Sequence, residues 1–209
     1  MRVVGVDVGI RHLALAEVAQ RWVGRQVVTS ILGFHLSDIT QYTHERVPEK
    51  ECTLHHTNEL GDRLVHWRQE HGHILDRATV VAIERQPPTG LQCVQSFLFS
   101  TYRETVCMIH PRTLHKHHGI GILDYEQRKR YMEEHARRQC AALGVDWDKS
   151  TARFSRRHDV ADALAIAMYA ISPGGHGLKQ NPSYEGKAPR SRIDQPIVVS
   201  KYFRASSRY

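Results

Sequence analysis

The chain opens on MRVVGVDVGI, residues 1–10, and the reading of this stretch decides the fold. Val3, Val4, Val6 and Val8 make a β-branched run that predicts a buried strand. Asp7 stands where that strand runs out, and a buried carboxylate is costly unless it is paired or bound to a cation. Gly9 follows and lets backbone or ligand come close, so a phosphate approaching Asp7 would not be crowded there. Taken alone, Asp7 reads equally well as a turn aspartate at a hairpin.

Composition narrows the setting. The chain has 209 residues, enough for one domain with a full core. No run approaches the ~18 apolar residues of a membrane span. No basic-then-apolar leader precedes the first strand, and Cys52, Cys93, Cys107 and Cys140 form no C-x-x-C pair. The expectation is an intracellular, reducing compartment with core thiols. The formal charge is +7, with 29 Lys and Arg against 22 Asp and Glu, which favours a polyanionic partner such as nucleic acid.

Working outward, RHLALAEVAQ (11–20) and RQVVTSILGF (25–34) extend the first strand into an antiparallel meander of three. A polar loop is expected over residues 37–51. Leu60, Leu64, Trp67 and His71 then recur at helical spacing. ATVVAIE (78–84) is a fourth strand, again ending on a carboxylate, Glu84. GLQCVQSFLFSTYR (90–103) reads as a helix, and TVCMIH (105–110) as a fifth strand stopped by Pro111. A long helix over 125–143 carries Met132, Ala136, Cys140 and Leu143 on one stripe, and RHDVADALAIAMYAI (157–171) is the last helix. The order β-β-β-α-β-α-β-α-α implies an α/β fold. Its mixed five-stranded sheet has three antiparallel strands, then two parallel, flanked by helices. Residues 1–172 form the expected domain, and 173–209, rich in Gly, Pro, Ser, Lys and Arg, a basic extension.

Three places then put acids where chemistry can use them. Asp7 and Glu84 end strands expected to be parallel neighbours, at the carboxyl edge where open α/β sheets bind ligands. Asp159 and Asp162 lie three residues apart on one face of the last helix. Each has an ordinary alternative: a loop acid for Glu84, first-turn acids answering the helix dipole for the other two. Together they repel one another unless something positive lies between them. Mg²⁺ prefers hard oxygen ligands. Two such ions about 3.5–4 Å apart can serve both ends of a phosphodiester displacement.

GVDVGIRHLALA, VVAIERQ and RHDVADALAIA, in this order, resemble the RuvC-like branch of the ribonuclease H-like superfamily. The resemblance is to the Holliday junction resolvases of poxviruses and other large DNA viruses, over residues 1–172. It implies a ribonuclease H-like fold, with Asp7, Glu84, Asp159 and Asp162 as catalytic acids holding two Mg²⁺, for which Mn²⁺ substitutes. It also implies a homodimer that makes paired symmetric nicks in branched DNA, and, if the source is viral, a place at viral DNA replication. A ribonuclease H, a transposase-like nuclease, an actin-like sugar kinase and a non-catalytic nucleic-acid-binding module are the alternatives. The kinase would need a second glycine-rich phosphate loop.

Among basic residues, Arg11, Arg112, Lys116, Arg153, Arg156 and Arg157 are the candidates for DNA contact. The last three precede the acidic helix and are expected to grip phosphates without neutralising the acids. His158 is expected either to orient a ligand or simply to begin a helix. The histidines of HPRTLHKHHGI match no zinc template. EQRKRYMEEHARR reads either as a DNA-binding stripe or, because its signs alternate, as a solvated helix face, and the alternation favours the second. After Glu84, Phe97, Leu98 and Tyr102 serve either a dimer interface, as the resemblance implies, or the core.

Overall fold

The computed structural model describes residues 1–9, 11–42, 59–87 and 92–172. The expected basic extension, and most of the expected polar loop, lie outside them. Strands β1 (Arg2–Val8), β2 (His12–Val23) and β3 (Gln26–Asp38) form the antiparallel meander. β4 (Val80–Glu84) and β5 (Val106–Ile109) complete one five-stranded sheet in the order β3-β2-β1-β4-β5. β1 pairs antiparallel with β2 and parallel with β4, and β4 pairs parallel with β5. This is the mixed sheet expected from the sequence.

Among the described residues six helices flank it: α1 (Leu60–Leu75), α2 (Gln92–Thr101), α3 (Pro111–His118), α4 (Tyr125–Ala142), α5 (Trp147–Thr151) and α6 (Arg157–Ile171). Two of these, α3 and α5, are additions to the expected order. Pro111 does follow β5, but it also begins α3, because proline suits a first helical turn. His110 accepts from the Arg112 N–H as the cap, and Gly119 closes the helix at φ 68°. β3 also runs further than expected: Ser37 and Asp38 are still strand, and a short 3₁₀ turn, Ile39–Gln41, follows.

Strand periodicity divides the core into two layers. Val4, Val6 and Val8 of β1, with Val81 and Ile83 of β4, face α1 and α2, where Leu64, Trp67 and Leu98 are buried. Val3 of β1, with Val80 and Ala82 of β4, faces α4 and α6. Leu98 and Tyr102 belong to the first layer, so the core accounts for both, and the partly buried Phe97 packs there too.

The last helix is buried nearly all round, with Val160, Ala161, Ala163, Leu164, Ile166 and Ala167 shielded, rather than along one stripe. Gly5 explains how it sits so close. A Cβ on Gly5 would stand 2.1 Å from the Ala163 carbonyl oxygen and 2.6 Å from the Ala167 nitrogen. The missing side chain lets α6 lie directly on β1.

Candidate active site

The two-residue period that builds the core also aims the acids. Asp7 and Glu84 share parity with Val3, Val80 and Ala82, so both point to the face covered by α6. The parallel register that sets Val6 beside Ile83 keeps them at the same end of adjacent strands. Asp159 and Asp162, in the first turns of α6, come down over that end. All four carboxylates line one cavity of about 380 Å³.

Their charges act on one another across that cavity. Burial, then the charges of Glu84 and Asp159, push Asp7 up to about 8. Burial pushes Glu84 up to about 7. Asp162 is held well above the usual carboxylate range by burial and by the charges of Asp7, Glu84 and Asp159. Four acids so placed favour proton or cation uptake.

Part of that positive charge comes from the chain itself. Arg156 clasps Asp159 with both arms of its guanidinium, Nε to Oδ2 at 2.5 Å and Nη2 to Oδ1 at 3.2 Å. This differs from the expectation that the arginines before α6 leave the acids free: a three-residue offset at the start of a helix brings the fork onto the carboxylate. His158 Nε2 lies 3.0 Å from Asp159 Oδ1, the oxygen that Arg156 Nη2 also meets, and burial keeps its ring below the usual histidine range.

Among the described residues, no three His, Cys, Asp or Glu side chains are already drawn together as a ligand set. The donors fit a hard divalent ion in kind, being all carboxylate oxygens, and one of them, Asp159, is held in an ion pair with Arg156.

The other expected DNA contacts are distributed unevenly. Arg11 is exposed but hydrogen-bonds Asp38 through Nε at 2.7 Å. Arg157 pairs with Asp148, which Arg137 also holds at 3.0 Å. Arg153 lies over Phe154 and donates to the Phe34 carbonyl at 3.3 Å. Arg112 and Lys116 are exposed one helical turn apart on α3 and so share a face.

Gly9 lines the cavity, yet its need for glycine lies in the turn. Its N–H donates to the His12 carbonyl, and a Cβ would stand 2.9 Å from that oxygen.

The cavity also contains residues that the sequence alone does not place beside the acids. Tyr125, Arg128 and Lys129 line it from the first turns of α4, and His115 and His118 from α3. Arg128 and Lys129 sit in the sign-alternating stripe read as solvated surface. Position was the missing signal, since the Asp124–Gln127 capping box starts α4 at the cavity.

No protein-family model matches the sequence, and no curated protein matches it significantly. Comparison with solved structures is more informative. The Holliday junction resolvase of Fowlpox virus superposes with a TM-score of 0.54 at 12% identity, over 80% of this chain and 96% of that one. The same resolvase in complex with substrate Holliday junction DNA gives 0.54 at 13% identity, over 80% and 95%. RuvC of Thermus thermophilus gives 0.44 at 22% identity, over 80% and 92%. With its sheet order, its helices and the α6 crossing over β1, the chain has the mixed α/β fold of the Fowlpox virus Holliday junction resolvase.

Proposed function

We propose that the chain is a divalent-metal-dependent, structure-selective endonuclease that resolves four-way DNA junctions. The observation that carries this reading is the convergence of Asp7, Glu84, Asp159 and Asp162, from two strands and a helix, in one cavity of a basic protein. The fold it shares with a resolvase solved on junction DNA supports it.

Asp7, Glu84, Asp159 and Asp162 are the residues that would hold Mg²⁺, with Mn²⁺ as a substitute. When bound, the ions supply the Lewis acidity that phosphodiester hydrolysis needs. Asp7 is the central acid, since it stands near the end of β1, the middle strand of the sheet. Glu84 faces it from the neighbouring strand. Arg156, once off Asp159, is a guanidinium beside the reacting phosphate, and Lys129 adds a second cation in the same cavity. Arg112 and Lys116 present two charges on one exposed face for backbone contact away from the acids. Recognition through phosphates and shape makes affinity fall steeply with salt. Paired symmetric nicks need two sites facing equivalent strands, which a two-fold homodimer supplies.

The test compares a labelled four-way junction with a sequence-matched RNA–DNA hybrid, each incubated with Mg²⁺ and either the wild-type chain or Asp7→Asn. Symmetric nicks in the junction from the wild type alone are expected. Preferential cleavage of the hybrid would replace this reading with a ribonuclease H. Unchanged nicking by Asp7→Asn would remove the acids from the chemistry.

A further inference from the structure

Hydrolysis of a phosphodiester needs acids, cations and a path for the backbone, but the cavity holds more than these. Beside the carboxylates it is lined by Leu114 of α3, Ile120 of the following loop and Met132 of α4. All three side chains are nearly shut off from water in the core layer beneath α6, so the cavity has an apolar floor. At its rim stands Tyr125, 57% exposed, with the Lys129 ammonium 4.1 Å from the ring centroid. Between Ile120 and Tyr125, Ile122 is 96% exposed, an aliphatic side chain held out in water.

A phosphate has no use for an apolar floor and an open aromatic ring, whereas a nucleobase does. Aromatic faces and neighbouring cations are the usual platform for unstacked bases. An exposed aliphatic side chain is the usual wedge for the gap such a base leaves. The cavity that the acids and this apolar floor share, about 380 Å³, lies within the range of small-ligand pockets.

We propose that this compartment takes the nucleobase flanking the scissile phosphate, unstacked from its strand and set on Tyr125 over the Leu114–Ile120–Met132 floor, while Ile122 fills the space it leaves. The inference rests on the proposed function and deepens it, because it supplies a reason for structure selectivity. Unstacking a base from a regular duplex costs a few kcal/mol, and least where pairing or stacking is already broken. A nucleotide at a branch point enters the compartment more easily than one within an arm, so the acids receive its phosphate preferentially.

The experiment places the fluorescent base 2-aminopurine at each position flanking the mapped nick and binds the junction to Asp7→Asn in Mg²⁺, where cutting is arrested. A severalfold rise in fluorescence at one flanking position, and not at positions within the arms, is expected. Tyr125→Ala and Ile122→Ala, both changes at exposed sites, should lose most of that rise when added to Asp7→Asn. In the otherwise wild-type chain each should slow nicking of a fully paired junction by about tenfold. A mismatch at the flanking position should restore most of the lost rate, which repair of a merely structural defect would not do. Nicking by the wild type together with a flat signal at both flanking positions overturns this inference alone. A chain that neither binds nor nicks the junction refutes the proposed function and takes the inference with it.

Discussion

Replacing Gly5 by alanine puts a methyl group where α6 comes nearest to the sheet. The atoms it meets, the Ala163 carbonyl oxygen at 2.1 Å and the Ala167 nitrogen at 2.6 Å, are helix backbone and cannot rotate away. Ordinary contact begins at 3.4 Å, so the helix has to retreat by about 3.4 − 2.1 = 1.3 Å, or the strand has to buckle. Overpacking of this kind costs about 1–3 kcal/mol, and the rigidity of both partners places Gly5→Ala at the upper end. For a chain of this size that lowers Tm by roughly 5–10 °C. The same retreat carries Asp159 and Asp162 away from Asp7 and Glu84. Misplacing reacting groups by about 1 Å costs on the order of a hundredfold in rate. Thermal unfolding by circular dichroism and nicking of a labelled junction under saturating Mg²⁺ measure the two effects separately. Gly61→Ala is the control: Gly61 lies in α1 with nothing within 4 Å of the added methyl, so stability should rise slightly and nicking stay the same. A Gly5→Ala protein with wild-type Tm refutes the close-approach argument. A lowered Tm with nicking intact would show that α6 does not set the spacing of the acids.

The acids make a second prediction, on pH. Asp7 and Glu84 have folded values near 8 and 7, above their ordinary 3.8 and 4.5, so the folded chain binds protons that the unfolded chain has released. Their contribution to the stability of the metal-free protein is therefore present in acid and is lost as pH rises through about 7 to 8. In EDTA, Tm should fall between pH 5 and pH 8, and a flat profile would contradict the crowding. Asp7→Asn and Asp162→Asn should each flatten that fall and abolish nicking while leaving junction binding within about threefold in a gel-shift assay; retained nicking by either would exclude that acid. Arg156→Ala frees Asp159 from its guanidinium and should tighten Mg²⁺ binding in calorimetric titration while slowing nicking. Unchanged metal affinity would show that Arg156 does not compete for that carboxylate. Filling the apolar floor with Met132→Trp should slow nicking by tenfold or more with binding preserved, and wild-type rates would show that the floor is not used.

Much of the fold and of the site was legible in local patterns. The β-branched runs at residues 3–8 and 80–83 are strands because such side chains suit a buried pleated surface, and both end beside an acid. Asp159 and Asp162 share a helix face by spacing alone. The elements that escaped notice have weak local signals. α5 is five residues long, and α3 is polar apart from Pro111 and Leu114. A proline–glycine bracket, Pro111 and Gly119, was the available sign of α3.

What a sequence determines by itself is set by neighbours along the chain: which face of a strand is apolar, where a helix starts, and which residues carry acid. On those grounds the order of the strands and of the four longer helices was readable, and so were the four acids near their ends, Asp7, Glu84, Asp159 and Asp162. Tertiary structure alone decided which charges are occupied and how closely the layers meet. Arg11 meets Asp38 across 27 residues because β2 pairs with β3. Arg157 is taken up by Asp148 because α5 turns back against α4. Gly5 matters because α6, more than 150 residues later, lies on it. Contacts of that kind depend on distances in space between remote parts of the chain, and no local periodicity encodes them.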